Sequence, residues 1–116
     1  MKNNRKVGDY YEGVACDYLK NQGYEILERN YRCRFGEIDI IAREGDFLSF
    51  VEVKYRKGKG NGDPGEAISL KKQRTIHQVA NYYYMKHGLS LDQAARFDAV
   101  LILGEREEIR LIRNAF

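Results

Sequence analysis

From Asp9 onward, apolar side chains fall at Tyr11, Val14, Ala15, Tyr18 and Leu19, a spacing of i, i+3, i+4, i+7 and i+8. That spacing puts them on one stripe of an amphipathic helix, and Gly23 is positioned to end it. Glu12 falls about 90° from the centre of the stripe at ~100° per residue, a border position that looks along the surface on which the helix packs. The stretch YEILERNY, residues 24–31, reads as a short strand and turn, and Gly36 opens the next element. Residues 37–42 and 47–55 are rich in isoleucine, valine and phenylalanine, with REGD between them, which predicts an antiparallel hairpin. Ser69 can cap a second helix with the stripe Ile76, Val79, Ala80, Tyr83 and His87, stopped by Gly88. Turning the same wheel backwards places Lys72 in the middle of the sheet-facing stripe and Gln73 on its flank. A polar first turn on the buried side implies a helix that begins over a polar site. RFDAVLIL and EIRLIRNAF close the chain as two strand-like runs joined by GERE. The order is helix, hairpin, helix, hairpin, with room for one further strand after the first helix.

A length of 116 residues suits one domain spanning residues 1–116. The hydrophobic fraction of 43% and charged fraction of 32% are globular values. No run approaches the roughly 20 apolar residues of a membrane span, and the N-terminal stretch lacks the apolar core of a secretory signal, so the expected setting is the cytoplasm. Cys16 and Cys33 have no metal-binding spacing and read as free thiols. The net charge of +3 is modest, but its distribution is not even. KYRKGKG contributes Arg56, Lys57 and Lys59, and KKQR contributes Lys71, Lys72 and Arg74, cations that an anionic polymer would meet. Between them, KGKGNGDPGE holds four glycines and the only proline, the composition of an exposed loop.

The chemistry concentrates on three residues. In a strand alternate side chains share a face, so Glu52 and Lys54 project together with Leu48 and Phe50, while Val51, Val53 and Tyr55 project oppositely. Asp39 lies in the adjoining strand, flanked by isoleucines, and Glu52 lies between valines, an expensive setting for charge without a partner. Strand pairing allows the two carboxylates to approach if Asp39 shares the face of Glu52. Two such acids repel, which raises a pKa or demands a cation, and with no histidine or cysteine nearby, Mg²⁺ or Mn²⁺ suits them better than zinc. A metal held there activates water against a phosphodiester, and Lys54 steadies the developing negative charge. Glu12 would act through water or at a second ion. Lys72 and Gln73 would meet a phosphate at the exposed amides of the helix N-terminus.

Other candidates read as structural. Asp98 has apolar neighbours but no Glu-x-Lys after it, and pairs best with Arg96 or another arginine. His77 and His87 lie about 80° apart on the helix, the wrong disposition for a shared metal. Gln78 and Tyr82 turn away from the apolar stripe and stay outside the site. Of Tyr82, Tyr83 and Tyr84, only one can occupy the middle of the buried face.

Taken in order, GDYYEGVACDYLKNQGYEILERNYR, GEIDIIA, FVEVKYR, the glycine loop with KKQR, and RFDAV resemble the YraN-like family of bacterial proteins. That family is similar to the Holliday-junction-resolvase branch of the PD-(D/E)XK nucleases. The resemblance implies an α/β fold with a central mixed sheet flanked by helices, in the order α-β-β-β-α-β-β. It also implies Asp39 and Glu52 as metal ligands, Lys54 as the catalytic lysine, and Glu12 as the acid carried on the first helix. Ile38 stands where the superfamily's name has proline. The expected activity is Mg²⁺-dependent cleavage of DNA in preference to RNA, with branched DNA as a candidate substrate. A junction cutter needs two sites related by a two-fold axis, hence a homodimer. The rival expectation is a module that keeps the fold and the charged pocket but binds nucleic acid, or docks a partner, without turnover.

Overall fold

In the computed structural model, residues 2–56, 68–104 and 108–116 are described, with side chains from residue 8 onward. The elements are α1 (Lys2–Asn21), β1 (Glu25–Cys33), β2 (Gly36–Glu44), β3 (Phe47–Arg56), α2 (Leu70–Lys86), β4 (Ala95–Leu103) and β5 (Glu108–Ile112). Their order is the one expected. One five-stranded sheet runs β1-β2-β3-β4-β5. Its pairs are antiparallel except β3 with β4, which are parallel with α2 as the crossover, so the sheet is mixed. The expected glycine loop and the GERE turn lie largely outside the described residues.

Each helix covers one face. Ala15, Cys16 and Leu19 of α1 pack on Ile40, Ala42, Val51, Val100 and Ile102. Ile76, Val79, Ala80 and Tyr83 of α2 pack on Ile38, Ile41, Leu48 and Phe50. The two halves of β3 therefore divide as alternation requires, Leu48 and Phe50 toward α2, Val51 and Val53 toward α1. Tyr55 follows the valines and stacks on Tyr11, with ring centroids 3.8 Å apart. A helix stripe buried on one face of a sheet is what holds an α/β layer together, because neither stripe is stable in water alone.

Helix α2 starts and stops by identifiable chemistry. The Ser69 hydroxyl accepts a hydrogen bond from the Lys72 amide, capping α2. Gly88, at φ +60°, takes the left-handed turn just past its end. The stripe on α2 ends at Tyr83: His87 is exposed and instead stacks on the Tyr83 ring and lies 3.1 Å from its carbonyl. His77 packs on Phe97, with centroids 3.9 Å apart. Helix α1 begins at Lys2, well before the apolar stripe, and β1 is nine residues long where a short strand and turn were expected. In the final segment only residues 108–112 form a strand, and Phe116 folds back against Phe97.

Asp98 is structural, as its surroundings implied. It is fully buried and accepts from the Tyr24 hydroxyl, the Ser49 hydroxyl, the Arg96 guanidinium and the Asn114 amide. Arg96 also pairs with Glu44, which Arg113 grips with two bonds at 2.9 and 2.6 Å. This network ties α1's exit, β2, β3, β4 and the C-terminal turn together at one end of the sheet, and every lone pair that burial would orphan has a donor. Cys16 and Cys33 are free.

Candidate active site

The acids lie beside the point where β2 and β3 part. Their ladder is regular from Glu44↔Phe47 to Ile40↔Val51 and stops there. Asp39 and Glu52 would be the next pair. Instead of pairing through backbone, Asp39 turns its carboxylate into the fork, and Oδ2 accepts the Val53 amide at 2.9 Å. The side chain thus satisfies a donor that the separated strand leaves without a carbonyl. The approach expected between these acids is present, at the fork where the two strands separate.

The sequence around Asp39 explains the fork. Ile38 packs toward α2 and Ile40 toward α1, although strict alternation would put both on one face. The slip falls on Asp39. Across the sheet, Arg29↔Ile40 and Tyr31↔Ile38 are paired while Asn30, between them, adopts φ +53°. Asparagine tolerates this left-handed conformation better than most residues. A local kink in β1 therefore stands opposite the residue whose direction is changed. Asn30 was not singled out from the sequence; an asparagine within a strand-like run is the signal that was available.

Glu52 is 4% exposed and Glu12 9%. Burial, then the charge of Asp39, pushes the Glu52 carboxyl up to about 8. Asp39 is also raised by burial, with the Val53 amide and a hydrogen bond from Glu52 pulling it back. Burial and the mutual repulsion of two close acids thus raise Glu52, and burial raises Asp39. Glu12 reaches the same region from α1: burial and then Asp39 push its carboxyl up to about 7, against a distant Arg29 guanidinium at 3.9 Å. From the other face Lys72 of α2 brings Nζ to 3.8 Å of Glu52 Oε2. Lys54 is half-buried and its charge also favours ionised Glu52.

Two buried oxygens have no hydrogen-bond partner among the described residues, Glu12 Oε1 and Glu52 Oε1. Orphaned carboxylate oxygens in a dry site are what a hard dication would satisfy. Among the described residues no three His, Cys, Asp or Glu side chains converge on one metal position. Asp39 and Glu52, which meet at the fork, could offer oxygen donors to Mg²⁺ or Mn²⁺, an ion that usually completes its shell with water and phosphate oxygens.

The remaining candidates separate. Arg56 is half-buried at the end of β3, beyond Lys54, and its carbonyl accepts the Gly104 amide. Lys71 and Arg74 are exposed on α2. Gln73 donates its amide to the Ile68 carbonyl, fixing the entry to the helix. Lys57 and Lys59 lie outside the described residues.

A mixed sheet between two helices, with an Asp–Glu pair at its fork, defines a restriction-endonuclease-like protein. The chain belongs to the YraN-like family described as "Uncharacterised protein family UPF0102", whose model matches residues 11–102 and so spans Glu12, Asp39, Glu52, Lys54 and Lys72. A "UPF0102 protein" of Lachnoclostridium phytofermentans is 54% identical over 114 residues, covering 97% of this chain and 95% of its own. One from Clostridium botulinum strain Loch Maree is 44% identical over 117 residues, with the same coverage of each.

Proposed function

We propose that this protein is a Mg²⁺-dependent endonuclease acting on DNA, with branched or otherwise structured DNA as the preferred substrate. The observation that carries the reading is the fork: Asp39 and Glu52 meet where β2 and β3 separate, with a buried Glu52 oxygen unpartnered and Lys54 two residues on. Asp39 and Glu52 would hold the ion. Bound there, Mg²⁺ supplies a lowered water pKa and offsets charge on the phosphorus oxygens. Lys54 lends its ammonium to the negative charge that grows as the phosphodiester is attacked. Lys72, at the capped start of α2, is placed to exchange its contact with Glu52 for a substrate phosphate near the positive end of the helix. Glu12, raised by burial and by the charge of Asp39, would act from the α1 side through water or at a second ion.

The test is a titration of Mg²⁺ and Mn²⁺ against duplex, flap, fork and four-way-junction DNA, with Glu52→Gln as control. Cleavage that needs the metal and falls by at least ~100-fold in Glu52→Gln supports the assignment; undiminished cleavage by Glu52→Gln, Asp39→Asn or Lys54→Ala in a clean preparation removes it.

One observation favours a second reading, a binding module without turnover. Lys72 already stands against Glu52, so part of the acid's charge is met without an ion. On that reading DNA binding is salt-sensitive, independent of metal, and unaccompanied by cleavage of any form.

A further inference from the structure

The face of α2 that turns away from the sheet meets the β1–β2 turn in a groove of about 340 Å³, lined by Arg34, Phe35, Gln78, Asn81, Tyr82 and Met85. Nothing in the acid site accounts for it. Phe35 and Met85 are 40% and 71% exposed, and the Phe35 and Tyr82 rings meet edge to face with centroids 6.2 Å apart. The Arg34 guanidinium lies 4.9 Å from the Phe35 centroid. The turn is pinned in place, because a Cβ on Gly36 would stand 2.5 Å from the Thr75 methyl of α2. An aromatic pair, a planar cation and two side-chain amides around a space near the lower end of ligand-pocket sizes suit one flat, polar-edged ring.

We propose that this groove seats an unpaired nucleobase of the nucleic acid whose backbone engages the acid site. The inference rests on the nuclease reading for its substrate. Two observations select a base over a peptide or a second copy of the chain. The groove and the site share one helix: at ~100° and ~1.5 Å per residue, Gln78 and Tyr82 lie about 120° and 80° around α2 from Lys72, which contacts Glu52, and about 9 and 15 Å along its axis. That distance is roughly three to four nucleotides at ~3.4 Å per step. The charge is also complementary. At ~100° per residue Lys71 and Arg74 share the face of Gln78 and Tyr82, and Arg34 closes the far wall, so a phosphate backbone leaving the acid site meets cations on the way. Aromatic stacking with flanking cations is how proteins hold unpaired bases without reading sequence. A strand stacked there must already be unpaired, so the groove selects forks, flaps and gaps over intact duplex.

The experiment places 2-aminopurine at successive positions of a gapped or forked DNA and follows its fluorescence and the binding anisotropy with the full chain in EDTA, so that cleavage plays no part. Quenching is expected at unpaired positions, with single-strand affinity about 10-fold weaker in Phe35→Ala and Tyr82→Ala, near wild type in Tyr82→Phe, and duplex affinity changed less than about 2-fold. Equal loss on duplex and single strand, or quenching that survives both alanine variants, overturns the proposal. So does concentration-dependent self-association in sedimentation that Phe35→Ala abolishes while DNA binding persists. Base stacking in EDTA with no cleavage in Mg²⁺ would remove the nuclease reading and leave the groove standing; cleavage without quenching would do the reverse.

Discussion

Glu12 and Glu52 hold their protons well above the usual carboxylate range, for reasons of burial first and the charge of Asp39 second. A carboxyl raised in this way supports the fold fully below its unfolded value of 4.5, and that support is lost as pH rises through about 7 for Glu12 and about 8 for Glu52. Glu44 has the opposite sign. Held down to about 2, first by Arg113, it contributes above pH 4.5 and loses that contribution only in strong acid. Metal-free protein should therefore melt at progressively lower temperature from pH 5 to 8.5, and millimolar Mg²⁺ should recover most of the loss. Glu52→Gln should flatten the upper part of that profile, raise the metal-free Tm at pH 8 by on the order of 5 °C, and abolish the Mg²⁺ response. Thermal melts in EDTA and in Mg²⁺ decide it; a profile that is level in EDTA would contradict the charge states assigned to the pair.

At the level of elements, the turn between β1 and β2 is fitted to α2 without slack. Gly36 sits at φ +149° with the Thr75 methyl where a side chain would go. Gly36→Ala should cost about 1–3 kcal/mol in urea unfolding and weaken the groove, since Phe35 would move with the turn. Both helices, the hairpin and the two closing strands follow from periodicity, since burial on one face writes itself into spacing. The caps at Ser69 and Gly88 were readable for the same kind of local reason. The division of β3 into an acid-bearing and a valine-bearing face was also legible. What periodicity could not carry was the slip at Asp39, because the cause lies across the sheet in Asn30, and pairing partners are set by the fold. The apolar stripe likewise does not mark the start of α1, which begins at Lys2. Gln78 and Tyr82 turn away from the apolar stripe, as their spacing implied, but the groove they line needs Phe35 beside them, more than forty residues away in the chain.

For the molecule as a whole, the proposed partner is an anionic polymer, which the exposed cations of α2 would meet. Lys71 and Arg74 are exposed and lie on the outer face of the helix, the one that carries the groove. Lys71→Ala and Arg74→Ala should each lower the slope of log affinity against log salt by about 1 for duplex and single strand alike, with folding unchanged. Titrations by anisotropy from 50 to 300 mM salt would show it, and slopes equal to wild type would place the backbone path elsewhere. No described helix is long and apolar enough to cross a membrane. One end of the sheet is tied by the donors that Asp98 gathers, and the other, where β2 and β3 part, carries the candidate acids.

Strand β1 is also an outer strand, and it carries both a register shift at Leu27 and the reversed backbone of Asn30. An outer strand bent twice within four residues offers poor docking for a neighbour's backbone, so the sheet resists being lengthened on that side. Two copies arranged about an axis would have to meet through helices, loops or the short β5 margin. The same distortion that aims one carboxylate thus guards the molecule against stacking edge to edge with its own kind.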